Sequence, residues 1–166
     1  MPLDAVADLL DEPHAYAGRS RWPELMADAV RLLPTSVRDA AHRRLDAALA
    51  LPPVPPSLVH GDLAGANVLL GDDGRVVGVL DWDLAQPADP AVDAACLAWF
   101  GWAVVEAAID PGTARRARVW HRVFPIEQVA AALDNGEDGP AVEAAVRRAS
   151  AWLVRQEGAG RPSEEA

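Results

Sequence analysis

A chain of 166 residues, 51% of them hydrophobic, is long enough to bury a globular core and excludes a peptide or a low-complexity tail. A formal charge of -10 excludes nucleic acid as an expected partner, because phosphate repels such a surface. The single cysteine, Cys96, excludes an intrachain disulfide; it lies in the apolar run DAACLAWF and is expected as a buried core thiol.

The N-terminus, MPLDAVADLL, has no basic region ahead of an apolar one, so no signal peptide is expected. PLDAVADLLD is expected as a short amphipathic segment. RWPELMADAVRLLP carries apolar residues at helical spacing and stops at Pro34. TSVRDAAHRRLDAALAL predicts a second helix, with Thr35 or Ser36 as its cap and Pro52 beyond its end. PPVPPS then acts as a stiff connection.

The only β-rich region follows: SLVH, NVLL and RVVGVLD, short and rich in Val and Leu, with GDDG as a tight reversal between the last two. QPADP is expected as loop. A long helix is predicted from Asp89 as cap and Pro90 as first helical residue, running through AVDAACLAWFGWAVVEAA. Its apolar stretch is too short to span a bilayer and runs into Glu106. No membrane partner and a cytoplasmic location are expected. Further helices are predicted at TARRARVWHRVF, PIEQVAAALD and AVEAAVRRASAWLVRQE, and the last nine residues, 158–166, as a disordered tail. The fold class is therefore α+β, predominantly helical, with one small β-hairpin sheet.

The chemistry gathers around that hairpin. His60 ends an apolar strand, Gly61 permits a sharp turn, and Asp62 projects from the loop. Asn67 opens the next strand and Asp81 ends the strand after it. Antiparallel strands bring the start of one beside the end of the other. Asn67 and Asp81 should be neighbours, with Asp62 close by. Such oxygen donors suit Mg²⁺, held by one or two carboxylates with phosphate oxygens and water. A carboxylate beside the ion can accept a proton from a hydroxyl nucleophile. Taken singly, Asp62 is equally a turn residue, Asn67 an Asx cap and Asp81 a strand terminator. Asp83 is equally a metal or substrate contact and a solvated acid. Trp99, Trp102, Trp120 and Trp152 stand at helical spacing and are expected in the core. The basic face holding His121 and Arg122 is expected to be solvated or paired with acids.

HGDLAGAN followed by LDWD resembles the catalytic loop and metal-binding segment of protein-kinase-like phosphotransferases, and most of all the aminoglycoside phosphotransferase and choline kinase family. With ADPAVDAACL, the match runs over about residues 57 to 100. The resemblance implies a kinase-like C-terminal lobe over residues 1–157. It implies that Asp62 is the catalytic base and that Asn67 and Asp81 hold Mg²⁺ on the phosphates of ATP, with GTP also possible as donor. It further implies that Asp93 braces the loop through backbone hydrogen bonds, that His60 packs beneath it, and that Glu106 lies on a helix lining the acceptor pocket. The implied reaction is phosphoryl transfer to a hydroxyl of a small molecule, an aminoglycoside or another amino-alcohol; the acidic charge suits a cationic acceptor.

All 15 basic residues are Arg, so the strand Lys of the kinase pattern has no counterpart, and no glycine-rich phosphate loop precedes the hairpin. The expectation is a C-terminal lobe whose N-terminal lobe is absent, through a fragmentary sequence, a second polypeptide, or a relative that binds without transferring. The face toward such a lobe should be apolar and open to self-association. Other metal enzymes fit less well. DWD lacks the strand–helix nucleotide unit of a sugar transferase, and four His residues, His14 and His42 among them, are not grouped as in a metallophosphoesterase.

Overall fold

The computed structural model describes residues 3, 6, 8, 10 and 18–159. Most of the N-terminal amphipathic segment and residues 160–166 of the expected tail thus lie outside the described residues. The described chain contains helices α1 (Gly18–Leu32), α2 (Thr35–Leu49), α3 (Ala91–Cys96), α4 (Trp102–Ala108), α5 (Pro111–His121), α6 (Phe124–Asp134) and α7 (Gly139–Ala159). Its strands are β1 (Ser57–Val59), β2 (Val68–Leu70), β3 (Val76–Val79) and β4 (Gln86–Ala88). They fall into two compact units, one built on Leu51–His121 and one joining Ser20–Ala50 to residues from 122 onward.

The second unit is all helix, and its core follows from four-residue spacing. Trp22, Met26 and Val30 of α1, Val37, Ala41 and Leu45 of α2, and Ala145, Ala149 and Leu153 of α7 are all buried. Helix α7 packs on α6 and on α2. Trp22 keeps its polar edge satisfied by donating to Glu127 Oε1 at 3.0 Å. Helix α2 begins at Thr35 behind Pro34 and makes no side-chain cap bond, so neither Thr35 nor Ser36 caps it as expected. The carbonyl of Pro34 instead accepts the Val37 N–H.

The unit built on Leu51–His121 carries the strands, and its topology is nested. Strand β1 pairs antiparallel with β4, setting Val59 opposite Gln86 and Leu58 opposite Pro87. The hairpin β2–β3 lies inside that excursion, with Val68 opposite Val79 and a bulge that leaves Val77 unmatched. The expected single hairpin sheet is thus two separate two-stranded sheets. Residues 86–88, expected as loop, are a strand. Pro87 hid it, because proline lacks a ladder donor and is tolerated only on an edge.

The hairpin turn is Gly71–Gly74, closed by the Gly71 N–H on Arg75 O and the Gly74 N–H on Gly71 O. Burial does not hold this ribbon: Leu70, Val76 and Val77 are 51%, 60% and 68% exposed. An isolated two-stranded ribbon is marginal in water, so its position depends on the segments joining it to β1 and β4.

Helices α3 and α5 pack through small side chains, Ala91, Ala94 and Ala95 against Ala114 and Ala117, all buried. One carboxylate stitches them. Asp89 caps α3 as expected, accepting the Ala91 N–H through Oδ1 at 3.0 Å. Its Oδ2 also accepts Arg116 Nε at 2.9 Å, Arg116 Nη2 at 2.6 Å and the Trp120 indole at 2.8 Å. Burial pushes the Asp89 carboxyl up, but the bonds from Arg116, Trp120 and Ala91 outweigh it and hold the group below its usual 3.8.

The long helix expected from Asp89 to Ala108 is broken. Helix α3 tightens into a 3₁₀ turn at Leu97–Phe100, and α4 restarts after Gly101, whose φ is 95° and ψ 137°. Only glycine occupies that region without strain.

Three outcomes follow. Asp89→Ala should destabilise the protein by about 3 to 5 kcal/mol in chemical denaturation, because it strands a mostly buried Arg116. Because the folded pKa is depressed, the stabilisation from Asp89 is present above about pH 4 and lost as pH falls through the lower folded value. Asp89→Asn should therefore flatten the acid limb of the stability profile below about pH 4. Gly101→Ala should cost about 1 to 3 kcal/mol in the same measurement, from backbone strain alone, since nothing lies within 4 Å of the added carbon.

Candidate active site

Two connectors lie between the nested ribbons: residues 60–67 lead from β1 to β2, and residues 80–85 lead from β3 to β4. Every acid of the expected constellation except Asp93 and Glu106 sits on one of them. Hydrogen bonds tie the two together. The Leu80 N–H donates to Asn67 O at 2.9 Å, and His60 Nε2 lies 2.8 Å from Leu80 O.

The loop after β1 is held from beneath by Asp93 of α3. Its two carboxylate oxygens accept consecutive amides, His60 N–H at 2.9 Å and Gly61 N–H at 3.0 Å. That is the bracing contact expected for Asp93. Gly61 turns the chain with φ 86°, and a Cβ there would stand 2.7 Å from Leu84 O. The second connector therefore passes too close for any other residue. His60 is 1% exposed and packs beneath the loop. Its Nδ1 accepts the Asp62 N–H at 3.2 Å, so Nε2 carries the proton and donates to Leu80 O. One imidazole thus joins the Asp62 peptide to the peptide that precedes Asp81.

Asn67 ends a 3₁₀ turn, Gly65–Asn67, and reaches back over the loop. Its Nδ2 donates to Asp62 O at 2.9 Å and to Asp62 Oδ2 at 3.1 Å. Those two acceptors fix the amide orientation, since the flipped amide would set oxygen against oxygen. Asn67 Oδ1 is left on the far side of the amide from Asp62.

Asp81 lies one residue beyond Leu80, at the same end of the ribbon as Asn67. It has φ 62°, and among the described residues no other non-glycine has positive φ. Such a conformation costs about 1 kcal/mol even for Asp. The flanking residues impose it. Leu80 is bonded through both its N–H and its C=O, while the Trp82 indole donates to Val79 O at 3.1 Å and Trp82 O accepts the Ala85 N–H at 2.9 Å. The Trp82 ring rests on His60, centroids 4.7 Å apart. Asp81 and Asp83 are both exposed. Among the described residues no three of His, Cys, Asp and Glu gather at metal-holding range.

Glu106 of α4 is not drawn into this group. The hydrogen bond from Arg118 Nε, 2.6 Å from Glu106 Oε1, holds the Glu106 carboxyl below its usual range. An acceptor reaching Glu106 would compete with Arg118. The basic face of α5 pairs with acids in this way, through Arg116 and Arg118. Expectations of burial fail at Cys96 and at all four tryptophans. Cys96 is only partly buried, with Sγ 3.7 Å from Gly61 O. Trp99, expected in the core, is 46% exposed and donates its indole N–H to Leu63 O at 3.0 Å. Trp102, Trp120 and Trp152, also expected in the core, are only partly buried. The signal for Trp99 was Gly101, a glycine inside a helical pattern.

Comparison with known proteins bears on family and fold. Viomycin phosphotransferase of Streptomyces vinaceus is 36% identical across 74% of this chain, and this chain covers 47% of that protein. Among solved structures, the GDP complex of wild-type aminoglycoside 2'-phosphotransferase-IIIa matches with a TM-score of 0.72 at 18% identity, over 94% of this chain and 57% of that one. Macrolide 2'-phosphotransferase type I matches at 0.66 with 23% identity, over 90% of this chain and 54% of that one. The chain spans about half the length of these relatives, and at such identities the structural matches show the fold. The profile of the phosphotransferase enzyme family matches residues 3–126. This chain belongs to the phosphotransferase enzyme family.

Proposed function

We propose that the chain carries the hydroxyl-activating and metal-holding half of a small-molecule kinase, which transfers the γ-phosphoryl group of ATP to an alcohol. The bond from Asn67 Nδ2 to Asp62 Oδ2, 3.1 Å long, carries this reading. It orients one carboxylate oxygen of Asp62 and leaves the other for a substrate hydroxyl, as a general base requires. It also turns Asn67 Oδ1 away from Asp62, where it can serve as an oxygen ligand.

The donor chemistry fits Mg²⁺: one amide oxygen from Asn67 and one carboxylate from Asp81, with Asp83 as a further exposed acid nearby in sequence. When bound, the ion neutralises phosphate charge as the phosphoryl group leaves. Asp62 orients the acceptor hydroxyl and takes its proton. Asp93 and His60 hold the peptides of Asp62 and Asp81, so that neither carboxylate must reorganise when substrate arrives. Aminoglycosides and viomycin, named in the relatives, head the panel of acceptors. The net charge of -10 favours cationic ones.

The absence of Lys favours a second reading. In the kinase pattern a strand Lys contacts the α- and β-phosphates, and these 166 residues contain none. A module of this family that binds without transferring would have the same fold.

Transfer from ATP to the acceptor panel, read as phosphorylated acceptor by mass spectrometry, separates the two. Asp62→Asn should lower kcat by about 10² to 10⁴ with the fold retained. Asp81→Asn and Asn67→Ala should raise the Mg²⁺ concentration needed for half-maximal rate. Turnover that survives Asp62→Asn sinks the catalytic assignment. A folded wild type that binds nucleotide and transfers to no acceptor supports the binding module.

A further inference from the structure

The helical segment after β4 meets the loop 60–67 through three side chains spaced three residues apart. Asp93 accepts the N–H groups of His60 and Gly61. Cys96 Sγ lies 3.7 Å from Gly61 O. Trp99 Nε1 donates to Leu63 O at 3.0 Å, and its ring covers Gly65, where a Cβ would stand 3.6 Å from three indole carbons. Phe100 stacks on the same indole, centroids 3.6 Å apart.

The break in the helix makes this alignment possible. An α-helix turns about 100° per residue, so a residue six positions after Asp93 would point about 120° away from it. A 3₁₀ turn advances about 120° per residue, so residues three apart eclipse. The chain passes from α to 3₁₀ at Leu97, and Trp99 therefore stays in line with Cys96. Gly101, with its positive φ, ends the 3₁₀ turn and lets α4 leave in a new direction.

We propose that Trp99 is a positioning residue, whose indole clamps the backbone between Asp62 and Asn67 and so fixes how those two side chains meet. Its value to catalysis rests on the function proposed above; the clamp itself does not. Leu63 and Gly65, the two residues Trp99 holds, lie between the proposed base and the proposed metal ligand. Asp93 secures only the start of the loop. Without the indole, Leu63–Ala66 would keep its ends, the Asn67 side chain reaching back across it and the 3₁₀-turn bonds onto Ala64 O and Gly65 O, and Leu63 itself would lose its partner.

Amide hydrogen exchange on the wild type, Trp99→Phe and Trp99→Leu tests the clamp without any need for turnover. Trp99→Phe keeps an aromatic face and loses the donor; Trp99→Leu loses both. Exchange at the Asp62 and Asn67 amides should quicken about fivefold in Trp99→Phe, the factor that one ordinary hydrogen bond supplies, and further in Trp99→Leu. The His60 and Gly61 amides, held by Asp93, should not change. If Asp62→Asn abolishes transfer, Trp99→Phe should also lower kcat while the KM for ATP holds. Unchanged exchange at Asp62 and Asn67 in both variants overturns the proposal. So does equal acceleration at all four amides with a falling midpoint, which is the mark of general packing. If Asp62→Asn leaves transfer intact, the function proposed above fails and the exchange result still decides the clamp.

Discussion

The pairing of β1 with β4 is the constraint on which the rest of the site depends. Because the β2–β3 hairpin lies inside that pair, the chain must leave one ribbon for the other and come back. The outgoing and returning connectors then run side by side. Asp62 and Asn67 are on the first, Asp81 and Asp83 on the second. No strand among the described residues is longer than four residues, so the ladders alone cannot keep the two in place. The contacts between connectors do so: His60 to Leu80, Leu80 to Asn67, and Gly61 packed against Leu84 O.

The site divides rigid backbone from exposed acid. His60 and Asp93 use their polar atoms on peptide groups, and His60 is buried. Asp81 and Asp83 stay exposed at the end of the ribbon. In the function proposed above, these carboxylates receive a cation and phosphates from solvent, which needs that openness and a separation that does not drift. Fixing the peptide on each side of a carboxylate meets both needs. The positive φ of Asp81 belongs to the same arrangement, since the peptides around it are already committed.

Electrostatic pairing is used differently at a distance from the loop. Asp89 joins a helix cap, an ion pair and an indole in one partly buried cluster, and so fixes α3 against α5. Because α3 carries Asp93, the orientation of the loop depends on that cluster through a single helix. Glu106 and Arg118, by contrast, pair on the surface, where screening leaves little net stabilisation.

Much of the site was legible in the sequence because it is encoded locally. GDDG between two apolar runs specified the β2–β3 hairpin, and antiparallel pairing placed Asn67 and the end of β3 together. Asp89–Pro90 marked the start of α3. The order of Asp62, Asn67 and Asp81, with its resemblance to kinase loops, pointed to the family before any coordinates. What local pattern could not specify was the partner of each exposed polar atom. Only the tertiary structure paired β4 with β1, because proline masked the strand and its partner lies almost thirty residues away. Only it chose the tautomer of His60, which depends on two peptides from different connectors. Only it turned Trp99 out of the core, because the helix breaks at a glycine whose positive φ no periodicity reveals. Periodicity records which face of a segment is apolar. Which two distant backbones meet is decided when the chain closes on itself.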